Sequence, residues 1–125
     1  MYELSVTRDF IAQHYLIGGD WGCENRKHSH HFKAEFLMTS SELNQHDYIY
    51  DISEIHTRFD KVTTYFADQN LNDLEEFKDK NPSIENFARI FLERFIHGMD
   101  LTHIHTVAIR LWEDESAWAS FQKKL

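Results

Sequence analysis

Cys23-Glu24-Asn25-Arg26-Lys27-His28-Ser29-His30-His31-Phe32 runs straight into an alternation of Phe32, Ala34, Phe36 and Met38 with Lys33 and Glu35. Side chains along a strand point to opposite faces with period two, so this pattern predicts a half-buried strand. His28 and His30 then sit on its apolar side, at the mouth of the strand and beside the core. A His-x-His pair so placed can hold a metal. One more imidazole, with His14 the obvious candidate, gives three nitrogen ligands and leaves the fourth position of a tetrahedral zinc open. Two zinc arrangements are compatible with these residues: a closed structural site with Cys23 as fourth ligand, or a three-histidine catalytic site with Cys23 as a free thiol. A structural ion is the harder to motivate, because a chain of 125 residues with 42% hydrophobic residues can bury a core without one.

Working outward, Tyr2, Leu4 and Val6 alternate with Glu3, Ser5 and Thr7, which predicts a first strand over Tyr2–Phe10 with His14 near its end, before the turn-prone Gly18-Gly19-Asp20. After the second strand and a polar turn, Tyr48–Tyr50 reads as a short strand. Asp51-Ile52-Ser53-Glu54 has the form of a capping box ahead of Ile52, Ile55, Phe59, Val62 and Phe66 at helical spacing, ending near Asp68. Gln69–Lys80 reads as an acidic loop. Asn81-Pro82 predicts a cap with proline at the first helical position, and Ile84, Phe87, Ala88, Phe91, Leu92 and Phe95 form a stripe closed by Gly98. Leu101, His103, His105, Val107, Ile109 and Leu111 then predict one long strand to Trp112, and Ser116–Phe121 a final short helix. The order predicts an α+β domain spanning residues 1–125, an antiparallel sheet with two helices on one face.

Composition narrows the function. The net charge of −8 argues against binding a nucleic-acid backbone. One cysteine excludes an internal disulfide, and without an apolar leader or membrane-length run the expectation is a cytoplasmic protein that needs no membrane. Nine histidines are high usage for this length and favour metal or acid–base chemistry.

Six motifs in order carry a resemblance. Phe10-Ile11-Ala12-Gln13-His14 fits a Phe-x-Ala-x-His strand end. Cys23 followed by His28-Ser29-His30-His31-Phe32 fits a Cys ahead of His-Gly-His-Asn-Tyr, with Ser29 in place of Gly. Asp51, Leu71-Asn72-Asp73, Asn81-Pro82-Ser83-Ile84-Glu85-Asn86 and Glu113 with Trp118 supply the rest. Over nearly its whole length the chain resembles the 6-pyruvoyltetrahydropterin synthase and 6-carboxytetrahydropterin synthase family. The resemblance implies a tunnelling fold (T-fold): a four-stranded antiparallel sheet with two helices on one face, joined edge to edge into an oligomeric β-barrel, a homohexamer by analogy. It implies that His14, His28 and His30 bind Zn2+, that Cys23 is the proton-abstracting base, and that Glu113 holds the pterin ring. The implied activity is a zinc-dependent lyase acting on 7,8-dihydroneopterin triphosphate, on the way to 7-deazaguanine or tetrahydropterin products. Synthases of the family carry Asp-His just before Leu-Asn-Asp. Here those places hold Ala67 and Asp68, or Asp68 and Gln69 after a shift of one, so Asp68 is the catalytic candidate and the histidine is missing. His31, His103 and His105 are the imidazoles that could replace it. The alternatives are a zinc-containing pterin-binding protein that has lost the synthase reaction, or a variant that cleaves or epimerises a dephosphorylated dihydroneopterin.

Overall fold

The structure is a computed structural model that describes residues 1–125. Two 13-residue strands, β1 (Tyr2–His14) and β2 (His28–Ser40), form one long antiparallel hairpin in register from Tyr2↔Ser40 to His14↔His28. Helices α1 (Ile52–Phe66) and α2 (Ile84–Ile96) follow, then β3 (Thr106–Trp112) and β4 (Trp118–Lys124). The sheet order is β1-β2-β3-β4, antiparallel throughout. This is the four-stranded sheet with two helices that the sequence led us to expect.

The alternation read in β1 and β2 is the packing pattern. Val6, Phe10 and Ala12 of β1 meet Phe32, Ala34, Phe36 and Met38 of β2 and Val107, Ile109 and Leu111 of β3 under the helices. Nine of the ten phenylalanines are buried there. Burying a side chain of this size contributes roughly 1.5–3 kcal/mol each, so the aromatic stack is the main apolar driving force for this topology.

Five expectations need correction. Tyr48–Tyr50 is not a strand: Asn44 N–H donates to the Tyr48 carbonyl at 2.7 Å and the Asn44 side-chain oxygen accepts from His46 and Tyr48 N–H, so the loop closes on itself. The strand predicted from Leu101 starts only at Thr106. The Asp100 carboxylate accepts from Thr102 N–H and Ile104 N–H donates to the Leu101 carbonyl, a turn that buries Ile104 and leaves His103 and His105 exposed. The final helix is β4, paired with β3 from Trp112↔Trp118 to Thr106↔Lys124. There the Asp114 carboxylate accepts from Ser116 and Ala117 N–H, the chemistry of a helix cap used to close a hairpin. The cap of α2 is Ser83, whose hydroxyl accepts from Asn86 N–H, and Pro82 lies ahead of the helix. Asp51 does cap α1, accepting from Ser53 N–H. The Gln69–Lys80 stretch also differs from a plain loop, because two 3₁₀ turns bury Leu71 and Phe77.

Candidate metal centre

The register that pairs His14 with His28 and Ala12 with His30 puts all three imidazoles on the inward face at one end of the hairpin. Their ring centroids lie 4.7 Å (His14–His28), 4.9 Å (His14–His30) and 4.7 Å (His28–His30) apart. Phe32 forms the floor, 5.9 Å from His14 and 5.7 Å from His30.

Hydrogen bonds to carbonyl groups set the tautomers. His14 Nδ1 donates to the Pro82 carbonyl at 2.8 Å, and His28 Nδ1 to the Arg26 carbonyl at 2.7 Å. A carbonyl can only accept, so these Nδ1 atoms carry the proton and a neutral ring presents its Nε2 lone pair, the arrangement that orients imidazole ligands. The Nε2 atoms of His14, His28 and His30 are all buried without a hydrogen-bond partner. Buried polar atoms are nearly always satisfied, so three orphans converging on one point call for a cation. The donor set fits zinc, which takes imidazole nitrogen readily.

Two carboxylates flank the triad. Glu24 Oε2 lies 3.1 Å from His28 Nε2, and one donor atom each from His14, Glu24, His28 and His30 falls within 4.8 Å of the others. Glu113, directly after β3, places Oε2 4.0 Å from His30 Nε2. Burial raises the Glu113 pKa above the usual carboxylate value, and the His30 charge opposes that shift. The sequence reading passed over Glu24. Its one legible signal was its position four residues before His28 in the short turn Gly22–Asn25.

Cys23 is in the same 3₁₀ turn but exposed, outside the group of converging donors. Asp68 lies away from the triad in a groove with Arg8, His31, Thr63 and Thr64, its N–H donating to the Ile11 carbonyl at 2.7 Å. His31 projects from the opposite sheet face to His28 and His30. His103 and His105 contact Glu42 and Ser41 at the far end of the hairpin, roughly 40 Å from the triad at about 3.3 Å per strand residue. Within one chain, then, no fourth imidazole joins the site.

Burial depresses the His14 pKa from 6.5 to about 4, with its bond to the Pro82 carbonyl opposing the shift. The unfolded chain takes up a proton near pH 6.5 and the folded one does not until about 4, so more protons are bound in the unfolded state between these values. The metal-free protein is therefore expected to lose stability as pH falls through that window. Urea unfolding at a series of pH values checks this, and the slope should shrink in His14→Gln; an equal slope in both proteins would contradict it.

An antiparallel sheet under two helices, with three imidazoles converging at one end of its long hairpin, defines a T-fold protein with a candidate metal centre. A sequence model of the 6-pyruvoyl tetrahydropterin synthase family matches residues 3–124, and the chain belongs to that family. Among solved structures, the Caenorhabditis elegans 6-pyruvoyl tetrahydropterin synthase superposes with TM-score 0.84 at 19% identity, covering 98% of this chain and 96% of that one. The Plasmodium falciparum enzyme gives TM-score 0.80 at 18% identity, covering 99% and 98%. A Plasmodium vivax 6-pyruvoyltetrahydropterin synthase with a catalytic glutamate replaced by cysteine gives TM-score 0.81 at 15% identity, covering 99% and 98%. No curated protein matches in sequence. No helix is long and apolar enough to cross a membrane.

Proposed function

We propose that this chain is a zinc-dependent pterin synthase of the 6-carboxy- or 6-pyruvoyl-tetrahydropterin type, acting on 7,8-dihydroneopterin triphosphate. The observation that carries the reading is the convergence of three buried, unpartnered Nε2 atoms in a chain of this family. His14, His28 and His30 hold zinc, which when bound polarises side-chain oxygens and lowers the cost of removing neighbouring protons. Cys23, in the adjacent turn, takes the proton. Glu113 recognises the flat ring edge, since a carboxylate accepts two parallel hydrogen bonds from an amino group and a neighbouring N–H.

Asp68 enters through assembly. Both sheet edges are open, and the face away from the helices carries polar groups such as Glu3, Ser5, Thr7, Lys33, Glu35 and Arg110. Along the β1 edge, the Ile11 carbonyl and Gln13 N–H are already bonded to Asp68 and Gln69, so strand addition is limited to the part before Ile11. The seven-residue β4 of another copy fits within the stretch Tyr2–Phe10, and antiparallel pairing brings its Glu113–Ala117 turn toward Asp68. This supports a ring closed edge to edge, a homohexamer by family resemblance, with Asp68 of one copy serving the site of the next. We assign the protein to the cytoplasm.

Anaerobic incubation of zinc-loaded protein with 7,8-dihydroneopterin triphosphate should give a tetrahydropterin product, lost in Cys23→Ala. The absence of a histidine beside Asp68 favours a second reading, a pterin-binding member without synthase activity or a variant acting on a dephosphorylated pterin. Pterin binding with intact zinc but no product from the triphosphate would select it. Glu113→Gln is expected to weaken pterin binding about tenfold or more, because a charge-assisted hydrogen bond contributes roughly 1.5–3 kcal/mol. Calorimetric titration checks this, with zinc content as the control; equal affinity would remove Glu113 as the ring anchor.

A further inference from the structure

The contact between Glu24 and His28 is unusual for the groups involved. With the His28 Nδ1 proton committed to the Arg26 carbonyl, the 3.1 Å approach of Glu24 Oε2 to Nε2 brings two lone-pair donors together. Such a contact is unfavourable unless a cation or a second imidazole proton lies between them. A Glu24 carboxylate oxygen groups with one donor atom each of His14, His28 and His30 within 4.8 Å, and the Nε2 atoms of these three histidines are buried without a partner. His14 itself is 1% exposed, so the point on which these atoms converge is walled on the core side.

The turn that carries Glu24 is built to hold it there. Gly22, at φ +64°, starts the turn at an angle that favours glycine, and its N–H donates to the Asp20 carboxylate. The Asn25 side chain accepts from Trp21 N–H and donates to the Leu16 and Gly19 carbonyls. Leu16 N–H donates to the Glu24 carbonyl at 2.7 Å, tying Glu24 to the end of β1 two residues beyond His14. Successive side chains in a 3₁₀ turn diverge by about 120°, so the turn offers the centre one neighbour or the other. Here both side chains are exposed, that of Glu24 by about half (49%), but only Glu24 brings a donor atom into the group with the three histidines, and Cys23 lies outside it.

Building on the three-histidine reading, we propose that Glu24 is the fourth protein donor of the resting centre, closing it with oxygen and keeping the Cys23 thiol outside the ligand set.

Cobalt(II) titration followed by visible and near-ultraviolet absorption tests the assignment without turnover. Wild-type protein should show intense four-coordinate bands and no sulfur-to-metal charge transfer. Glu24→Gln should weaken cobalt binding about tenfold or more and change the band pattern, while Cys23→Ser leaves both as in wild type. Glu24→Asp, which keeps the carboxylate, should recover part of the affinity, and melting curves check that each variant folds. If Glu24 merely pairs with a protonated His28, it competes with the metal, and Glu24→Gln would bind cobalt as well as wild type or better, overturning the proposal. A sulfur charge-transfer band that disappears in Cys23→Ser would overturn it too. Failure of wild type to bind cobalt at all would remove the three-histidine centre itself, whereas tight binding unaffected by Glu24→Gln would remove only the role of Glu24.

Discussion

His28→Ala is expected to reduce bound zinc from about one ion per chain to a small fraction, and to weaken metal affinity by about a hundredfold or more. Two imidazoles and one carboxylate are a poor zinc site, and the register gives no other nitrogen access to the gap, because Ser29 and His31 project from the opposite face. His28 lies at the rim of the hairpin with its side chain 24% exposed, so its truncation should leave the fold intact. His31→Ala is the matched control, since a one-residue step along β2 turns the side chain to the other face and should leave zinc content unchanged. Metal analysis of the purified variants reads both. Unaltered zinc in His28→Ala would remove it from the ligand set.

Phe91→Ala is expected to destabilise the fold by about 3–5 kcal/mol, a large share of the roughly 5–15 kcal/mol that holds a domain of this kind together. Phe91 is fully buried, with ring centroids 5.9 Å from Phe10, 5.5 Å from Phe66 and 6.0 Å from Phe87. Phe10 stacks at 5.5 Å on Phe32, the floor beneath His14 and His30, so one aromatic chain supports both the helices and the site. Urea unfolding of the metal-free protein measures the loss. A cost below about 1.5 kcal/mol would mean that the core collapses to fill the space, and that the phenylalanine stack is less interdependent than its geometry implies.

The parts of this fold that were readable in advance are those where one periodicity governs a long segment. Alternation along β1 and β2 located the strands and set His28 and His30 on one face, and the stripe from Ile84 to Phe95 located α2; His14, read only as a candidate near the end of the first strand, joins them through the register that pairs it with His28. Misreadings arose where a short or broken segment fits two structures. Ser116–Phe121 is too short for its spacing to separate a helix from a strand, and it enters β4 because the Asp114 carboxylate closes a hairpin and Phe121 finds Ile109 across the sheet. His103 and His105 looked like inward strand residues because the periodicity continued through them, but the turn at Asp100–Ile104 breaks the phase. Glu24 was hard to read for a different reason. Its relation to the triad depends on the Gly22–Asn25 turn and on carbonyl groups of Arg26 and Pro82, the second of which is 68 residues from the histidine it orients.

Zinc K-edge X-ray absorption of the purified wild-type protein reads the ligand set of the centre itself. Three imidazole nitrogens at about 2.0–2.1 Å and no sulfur are predicted. A sulfur scatterer at about 2.3 Å, or fewer than three imidazoles, would rule out the three-histidine, sulfur-free centre.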